Sequence, residues 1–348
     1  MTAATNRPNG PIATLFPGYF ALVMATGIIS IAAEQQEIHP LADALYAVAA
    51  VGYVVLWVLL AVRIVRYPRL FFADMTDHAK GFAFLTIVAG TNVLGSASGV
   101  VFGWWDLAWV LWWASLPIYV VLLYTTLIAV VIDSDKPGLA GGINGTWFLL
   151  IVSTQSIAVL GALLVVRHPH DLLAFVVVAM FTLGLTLYLI VMTMVFLRWT
   201  FDPLDPTEAS PPAWIAAGAV AISVLAGSNV LFAVDASPRI ARLAPFVEGM
   251  TVLAWATATF WFPLMVAIGV WRHLVRRLPI RYHPSYWALV FPIGMYGAAT
   301  SRMRAVIELE SLGWLPQVTL AGALIAWSAT FGGLVRTMTA GLIRSVRP

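Results

Sequence analysis

Ten stretches of the chain run without a single Lys, Arg, Asp or Glu: 8–33, 44–62, 81–105, 107–132, 137–166, 172–197, 209–234, 249–271, 282–301 and 311–335. Each is rich in Ala, Val, Leu, Ile, Phe and Trp. A helix rises about 1.5 Å per residue, so roughly 20 apolar residues cross a hydrocarbon core of about 30 Å. The pattern predicts ten membrane-crossing helices. A spanning β-barrel would show shorter, alternating segments instead.

The odd and even stretches differ in kind. The odd ones hold 22 Ser, Thr, Asn and Gln against 14 in the even ones, and 17 Gly against 8. Small residues let helices approach closely, and hydroxyls and amides can line a wet path. The expectation is therefore an inner set of odd helices and an outer set of even ones. A weak repeat agrees: Gly90-Thr91-Asn92-Val93-Leu94 in the third stretch resembles Gly227-Ser228-Asn229-Val230-Leu231 in the seventh. A looser version, Ser153-Thr154-Gln155-Ser156-Ile157, lies in the fifth, and Thr26-Gly27 and Thr300-Ser301 stand in the first and ninth. Self-similarity every ~70 residues signals a repeated unit, here a helical hairpin. Five like-oriented hairpins can surround one axis along the membrane normal. Thr26, Gly27, Thr91, Asn92, Thr154, Gln155, Ser228, Asn229 and Thr300 then become candidates for lining it. As packing motifs alone, the same residues would serve only as polar glue between helices.

Composition narrows the class further. The chain is 61% hydrophobic and 10% charged, with mean hydropathy +0.90, where soluble proteins carry about 25% charge. Ten spans consume nearly all 348 residues, so one transmembrane domain is expected over 1–348, with a tail at 1–15 and spans roughly across 16–343. No basic run suggests nucleic acid, and the absence of Cys excludes disulfides and thiolate chemistry. Lys and Arg are enriched in cytoplasmic loops. Alternating the loops puts 14 of the 19 basic residues on the side of both termini and 5 on the other. Both ends are thus predicted cytoplasmic, in a multi-pass protein of the cell (inner or plasma) membrane. Trp104, Trp105, Trp112, Trp113 and Trp314 are expected as interfacial anchors.

The spans hold no reactive constellation. All six His fall in loops or at span edges, no carboxylate sits mid-span, and no His-Glu-x-x-His occurs. Asp74-x-x-Asp77 and Asp202-x-x-Asp205 read as solvated loop acids. Arg302 and Arg304 could form an anion-attracting ring or pair with Glu308 and Glu310. No enzyme, metal or cofactor is expected. A neutral path of hydroxyls and amides holds an anion loosely enough to release it, whereas acidic rings mark cation paths.

Two segments carry a family resemblance. Phe16-Pro-Gly-Tyr-Phe-Ala-Leu-Val-Met-Ala-Thr-Gly-Ile-Ile-Ser30 is similar to the first span of the tellurite-resistance/dicarboxylate transporter family, and Trp287-Ala-Leu-Val-Phe-Pro-Ile-Gly-Met295 to its gate segment. That family includes bacterial tellurite-resistance channel homologues, yeast malate permeases, sulfite pumps and plant slow anion channels. The resemblance implies a homotrimer in lipid with one pore per protomer, lined by the odd spans. It implies passage of small inorganic anions or dicarboxylates, and a gate formed by Phe291 ahead of Pro292. Phe262-Pro263 is the rival dipeptide on an even span; Phe16-Pro17 reads as an ordinary helix start. A proton-coupled dicarboxylate carrier, a sulfite or tellurite carrier and, more distantly, an intramembrane enzyme or sensor subunit are the alternatives.

Overall fold

A computed structural model describes residues 10–204 and 211–346, with side chains through 340. Arg7, Asp205, Arg347 and the side chain of Arg344 lie outside the described residues. The described chain is helical, without a strand. Its long helices are α1 (Pro17–Glu34), α2 (His39–Arg66), α3 (Gly81–Phe102), α4 (Trp105–Ile132) and α5 (Gly145–Arg167). They continue with α6 (Asp171–Phe201) and α7 (Pro211–Phe232), then α8 (Pro238–Val270), α9 (Trp287–Val306) and α10 (Trp314–Val346). Among the described residues, nine of these are long and apolar enough to cross a membrane. The exception is α9, in which Pro292, Tyr296, Thr300, Ser301 and Arg302 dilute the apolar residues.

The helices form two concentric rings. In the inner one α1 packs on α3, α3 on α5, α5 on α7, α7 on α9, and α9 back on α1. Each even helix sits outside, in the groove between two inner neighbours; α10 closes the circle between α9 and α1. Burial follows position: 83, 89, 94 and 89% of the apolar windows of α1, α3, α5 and α7 are buried, against 28, 33, 44, 22 and 17% for α2, α4, α6, α8 and α10. The inner–outer division expected from Gly and hydroxyl content is thus the division observed. Bulky aliphatic faces of the outer helices, such as Val51, Val121 and Leu189, are left exposed, as lipid contact requires.

All inner helices open alike, with a 3₁₀ turn before the α-helix: Pro17–Phe20, Gly81–Leu85, Gly145–Phe148, Pro211–Trp214 and Pro284–Tyr286. Pro or Gly starts each turn. Pro lacks an N–H that would be unsatisfied there anyway, and Gly permits close approach. Gly145 shows why: a Cβ would fall on the carbonyl of Pro212 in the neighbouring opening turn. Deeper in, Gly218 of α7 receives the ring of Pro292 of α9, with Pro292 Cγ 2.8 Å from where a Cβ would stand.

Charge is held at the end where the inner helices begin. Arg63, 1% exposed, donates to the Leu15 carbonyl (3.0 Å) and to Asp74, which also takes Lys80 (2.8 Å). That hydrogen bond raises the Lys80 pKa. Asp74 is therefore an ion-pair anchor for the α2–α3 connection, not a solvated loop acid. Asp77 accepts from the N–H groups of Ala79 and Lys80 (2.9 and 3.0 Å). A second correction concerns Trp112. It is 2% exposed and donates to the Ile157 carbonyl (3.0 Å), so it joins α4 to α5 and anchors nothing at an interface. Trp104, Trp113 and Trp314 are exposed, whereas Trp105 receives the guanidinium of Arg167, 4.7 Å from its ring centre.

Candidate functional site

The inner helices enclose two small cavities on their common axis. Phe20, Leu85, Phe148, Trp214 and Trp287 stand where each opening turn gives way to α-helix, and counting from them brings the five helices into register. Two residues earlier lie Gly18, Ala83, Thr146, Pro212 and Ser285; one residue later lie Ala21, Thr86, Leu149, Ile215 and Ala288. Both layers line the first cavity, whose floor is Met24 and Phe291, four residues after Phe20 and Trp287. The same layer continues as Ala89, Val152 and Gly218. Eight residues on come Ile28, Val93, Ser156, Ile222 and Met295, and these line the second cavity with Asn92 and, a turn further, Ile31, Ser96, Val159 and Leu225.

Phe291 (1% exposed) and Met24 (1%) thus occupy the layer between the cavities. The first cavity is about 20 Å³ and the second about 10 Å³ to the centre of a water-sized sphere, on the order of one water each. No charged side chain lines either. Polar groups in the first are Thr86, Thr146 and Ser285. Five parallel helices begin around it, and each N-terminus carries roughly half a positive charge. The first cavity is neutral in side chains and electropositive in backbone. At its rim, His283 Nδ1 accepts from the Ser285 N–H (3.2 Å) and lies 2.8 Å from its Oγ, so the Ser285 hydroxyl can donate to it as well. Burial lowers the His283 pKa, which keeps Nδ1 available as an acceptor.

The sequence candidates scatter around this axis. Phe291 and Asn92 line a cavity. The Asn92 amide donates to Ser156 (3.1 Å) and accepts from Ser115 (3.0 Å). The hydroxyls of Thr26, Thr91, Thr154 and Thr300 turn outward to aromatic partners. Trp327 of α10 donates to Thr26 (2.9 Å), Tyr53 of α2 bonds Thr91 (3.0 Å), Tyr119 of α4 bonds Thr154 (2.7 Å), and Trp255 of α8 donates to Thr300 (3.1 Å). Gln155 donates to the Phe181 carbonyl of α6 (3.0 Å), and Gly27 faces Val93 of α3. Ser228 bonds back to the Val224 carbonyl (2.7 Å), and Asn229 donates to the Val159 carbonyl (3.2 Å). Pro292 packs on Gly218, leaving Phe291, one residue earlier, on the axis side.

The repeat register read from the Gly-Thr-Asn and Gly-Ser-Asn motifs is a correction. Asn92 lies seven residues past Leu85 but Asn229 fifteen past Trp214, so they differ in depth by about 12 Å at 1.5 Å per residue. The structural repeat is carried by the opening turns, whose equivalent residues 18, 83, 146, 212 and 285 are 65, 63, 66 and 73 apart. Phe16 was missed as a lining residue. It lines the first cavity and packs edge-on against His283, with centroids 5.6 Å apart. The rival Phe262 packs instead against Trp214 and Tyr296. Arg304 pairs with Glu310 (2.8 Å), while Arg302 donates to the Asn229 side-chain oxygen (3.0 Å) and lies 4.1 Å over Phe232.

Nine apolar helices among the described residues and a closed inner ring with cavities on its axis define a multi-pass integral membrane protein of the transport type. Residues 14–335 match the SLAC1 family, described as voltage-dependent anion channels, and the chain belongs to that anion-transport family. An uncharacterised membrane protein of Mycobacterium tuberculosis is 35% identical over 161 residues, 46% of this chain and 81% of the relative. An uncharacterised transporter of Methanocaldococcus jannaschii is 22% identical over 309 residues, 85% of this chain and 87% of the relative. A sulfite efflux pump of Trichophyton rubrum is 22% identical over 324 residues, 84% of this chain and 82% of the relative.

Proposed function

We propose that the chain, as one ten-span transmembrane domain, conducts small anions along the axis of its inner ring, and that the Phe291 ring is the plug. The observation that carries this reading is the position of Phe291 between two axial cavities to which all five inner helices contribute. A path lined by Ala, Gly, Ile, Thr and Ser binds a permeating ion weakly, as throughput requires. The five helix N-termini around the first cavity favour negative charge. Pro292 removes one backbone hydrogen bond beneath Phe291, and its seat on Gly218 gives the segment a bend about which the ring can move.

The side on which the inner helices begin is proposed to be cytoplasmic. Arg63, Arg66, Arg69 and Lys80 gather at that end, and basic residues stay on the cytoplasmic face. Arg66 and Arg69, which are exposed there, raise the local anion concentration at that mouth. Outer-ring faces support assembly in lipid, and the homotrimer implied by family resemblance is proposed with it; a mass other than three protomers in native detergent or nanodisc measurements would remove that part.

The test is anion flux in liposomes with chloride, nitrate, sulfite and malate. Phe291→Ala is expected to raise flux, and Phe262→Ala to leave it near wild type. The opposite pattern overturns the gate assignment. Uptake that saturates and collapses with the proton gradient would mark a coupled carrier instead of a channel.

A further inference from the structure

The axial register continues beyond the second cavity. Seven residues are nearly two full turns of a helix, so the same face is presented again. Seven past Ile28, Val93, Ser156, Ile222 and Met295 stand Gln35, Val100, Leu163, Asn229 and Arg302. This layer forms the mouth at which the inner helices end. By this register one cation and two amides stand at the same level, whereas neither cavity below them is lined by a charged side chain.

Arg302 is half-buried and, among the described residues, has no acid partner. Its Nε donates to the Asn229 oxygen (3.0 Å), and its guanidinium lies over Phe232. Both contacts orient the group without neutralising it. The nearest competitor for an acid, Arg304, takes Glu310. A guanidinium in this setting keeps free N–H donors in a planar fork suited to oxyanions. Gln35 adds a second signal: its Oε1 is buried with no hydrogen-bond partner. An amide can turn end for end, so this position can present an N–H to an anion. There is also an electrostatic need. Five helix C-termini converge at this mouth, and their partial negative charges repel anions leaving or approaching.

We propose that Arg302, with Asn229 and Gln35, forms a binding site for a small inorganic anion at the mouth where the inner helices end. The site supplies the positive charge that the C-terminal helix ends take away, and sets how the path fills from that side. As the entrance to a conduit it rests on the pore reading above; as a binding site it can be measured alone.

Full-length protein carrying Phe291→Ala is reconstituted, and current is recorded while nitrate is varied on the side of this mouth. Arg302→Gln is expected to raise the half-saturating nitrate about tenfold, Arg302→Lys to raise it by less, since the charge remains while the planar fork is lost, and Arg304→Gln to change nothing. In parallel, nitrate is titrated against purified protein with wild-type Phe291 in detergent, with melting temperature as the readout. A nitrate-dependent rise that Arg302→Gln abolishes and Arg302→Lys keeps in part supports the site even if Phe291→Ala conducts nothing, a result that would sink the pore reading alone. If Phe291→Ala conducts and Arg302→Gln leaves the nitrate dependence as it was, Arg302 only offsets helix dipoles and the proposal falls. It falls equally if nitrate does not raise the melting temperature of the unsubstituted protein.

Discussion

Apart from α9, the inner and outer rings are both built from strongly apolar helices, yet small residues do different work in them. Gly145 and Gly218 sit where a neighbouring backbone or ring already occupies the space of a Cβ, whereas Gly249 and Gly269 of α8 have nothing within 4 Å. Burial separates the rings sharply while hydrophobicity does not. In a bilayer, lipid tails are as apolar as Leu, so being apolar does not drive a helix inward. Closeness does: a helix with Gly, Ala, Ser and Thr on several faces gains dispersion contacts on all of them, and a helix bristling with Val, Leu and Phe keeps those side chains for lipid. The polar side chains of the inner ring follow the same logic. Five of its hydroxyls, on Thr26, Thr91, Ser98, Thr154 and Thr300, turn outward to Tyr or Trp of the outer ring and hold the two layers together. What is left at the axis carries no charge in either cavity, and the Phe291 ring stands between them.

That contrast can be broken in several places. The largest effect is expected for Phe291→Ala. Lowering a barrier by about 1.4 kcal/mol gives about tenfold in rate, so anion flux in liposomes should rise about tenfold or more, with the outer-ring Phe262→Ala as the unchanged control. Next in size is Asp74→Asn. Arg63 is fully buried, and stripping a buried charge of its partner costs about 3–5 kcal/mol; the melting temperature in detergent should drop by many degrees and Lys80→Met should cost far less. Gly145→Ala and Gly249→Ala address the rings directly. The first forces backbone apart and should cost about 1–3 kcal/mol, while the second should be neutral or slightly favourable, as both midpoints of thermal unfolding will report.

Smaller effects sharpen the same picture. A double-mutant cycle on Tyr119→Phe and Thr154→Val should return a coupling of about 0.6 kcal/mol, typical of hydrogen bonds between membrane helices; a value near zero would mean that packing alone joins the layers. The weakest expected effect is a pH dependence at His283. Burial holds its pKa below the ordinary 6.5, so the unfolded chain takes up the proton first as pH falls. Its contribution is complete above about pH 6.5 and is lost as pH drops through the depressed value. Melting temperature should therefore decline on acidification, and His283→Asn should flatten that decline.

Much of the architecture was legible along the chain because its causes are local. Charge-free windows report the length of a bilayer crossing, and Gly and hydroxyl content reports how closely a helix can be approached. The site was legible only in part. Phe291 stood out through resemblance and its neighbouring proline. The polar motifs misled, since Gly-Thr-Asn and Gly-Ser-Asn recur as packing devices at different depths. The opening turns that carry the true register share little sequence, because Pro and Gly solve the same backbone problem by different means. Phe16 escaped notice for a similar reason: a residue at a helix start faces the axis only because five such starts converge.

The linear order of residues determined a membrane protein of alternating inner and outer helices, since hydrophobic length and side-chain size need no partner to be read. Only the tertiary structure decided which face of each inner helix meets the axis. A helix turns about 100° per residue, so one residue of register moves a side chain from the axis to a neighbour. That register is set by contacts between distant segments: Pro292 on Gly218, Gly145 under Pro212, Trp327 on Thr26. The tertiary structure also placed Phe291 between two cavities and turned Arg302 to the Asn229 amide at the far mouth.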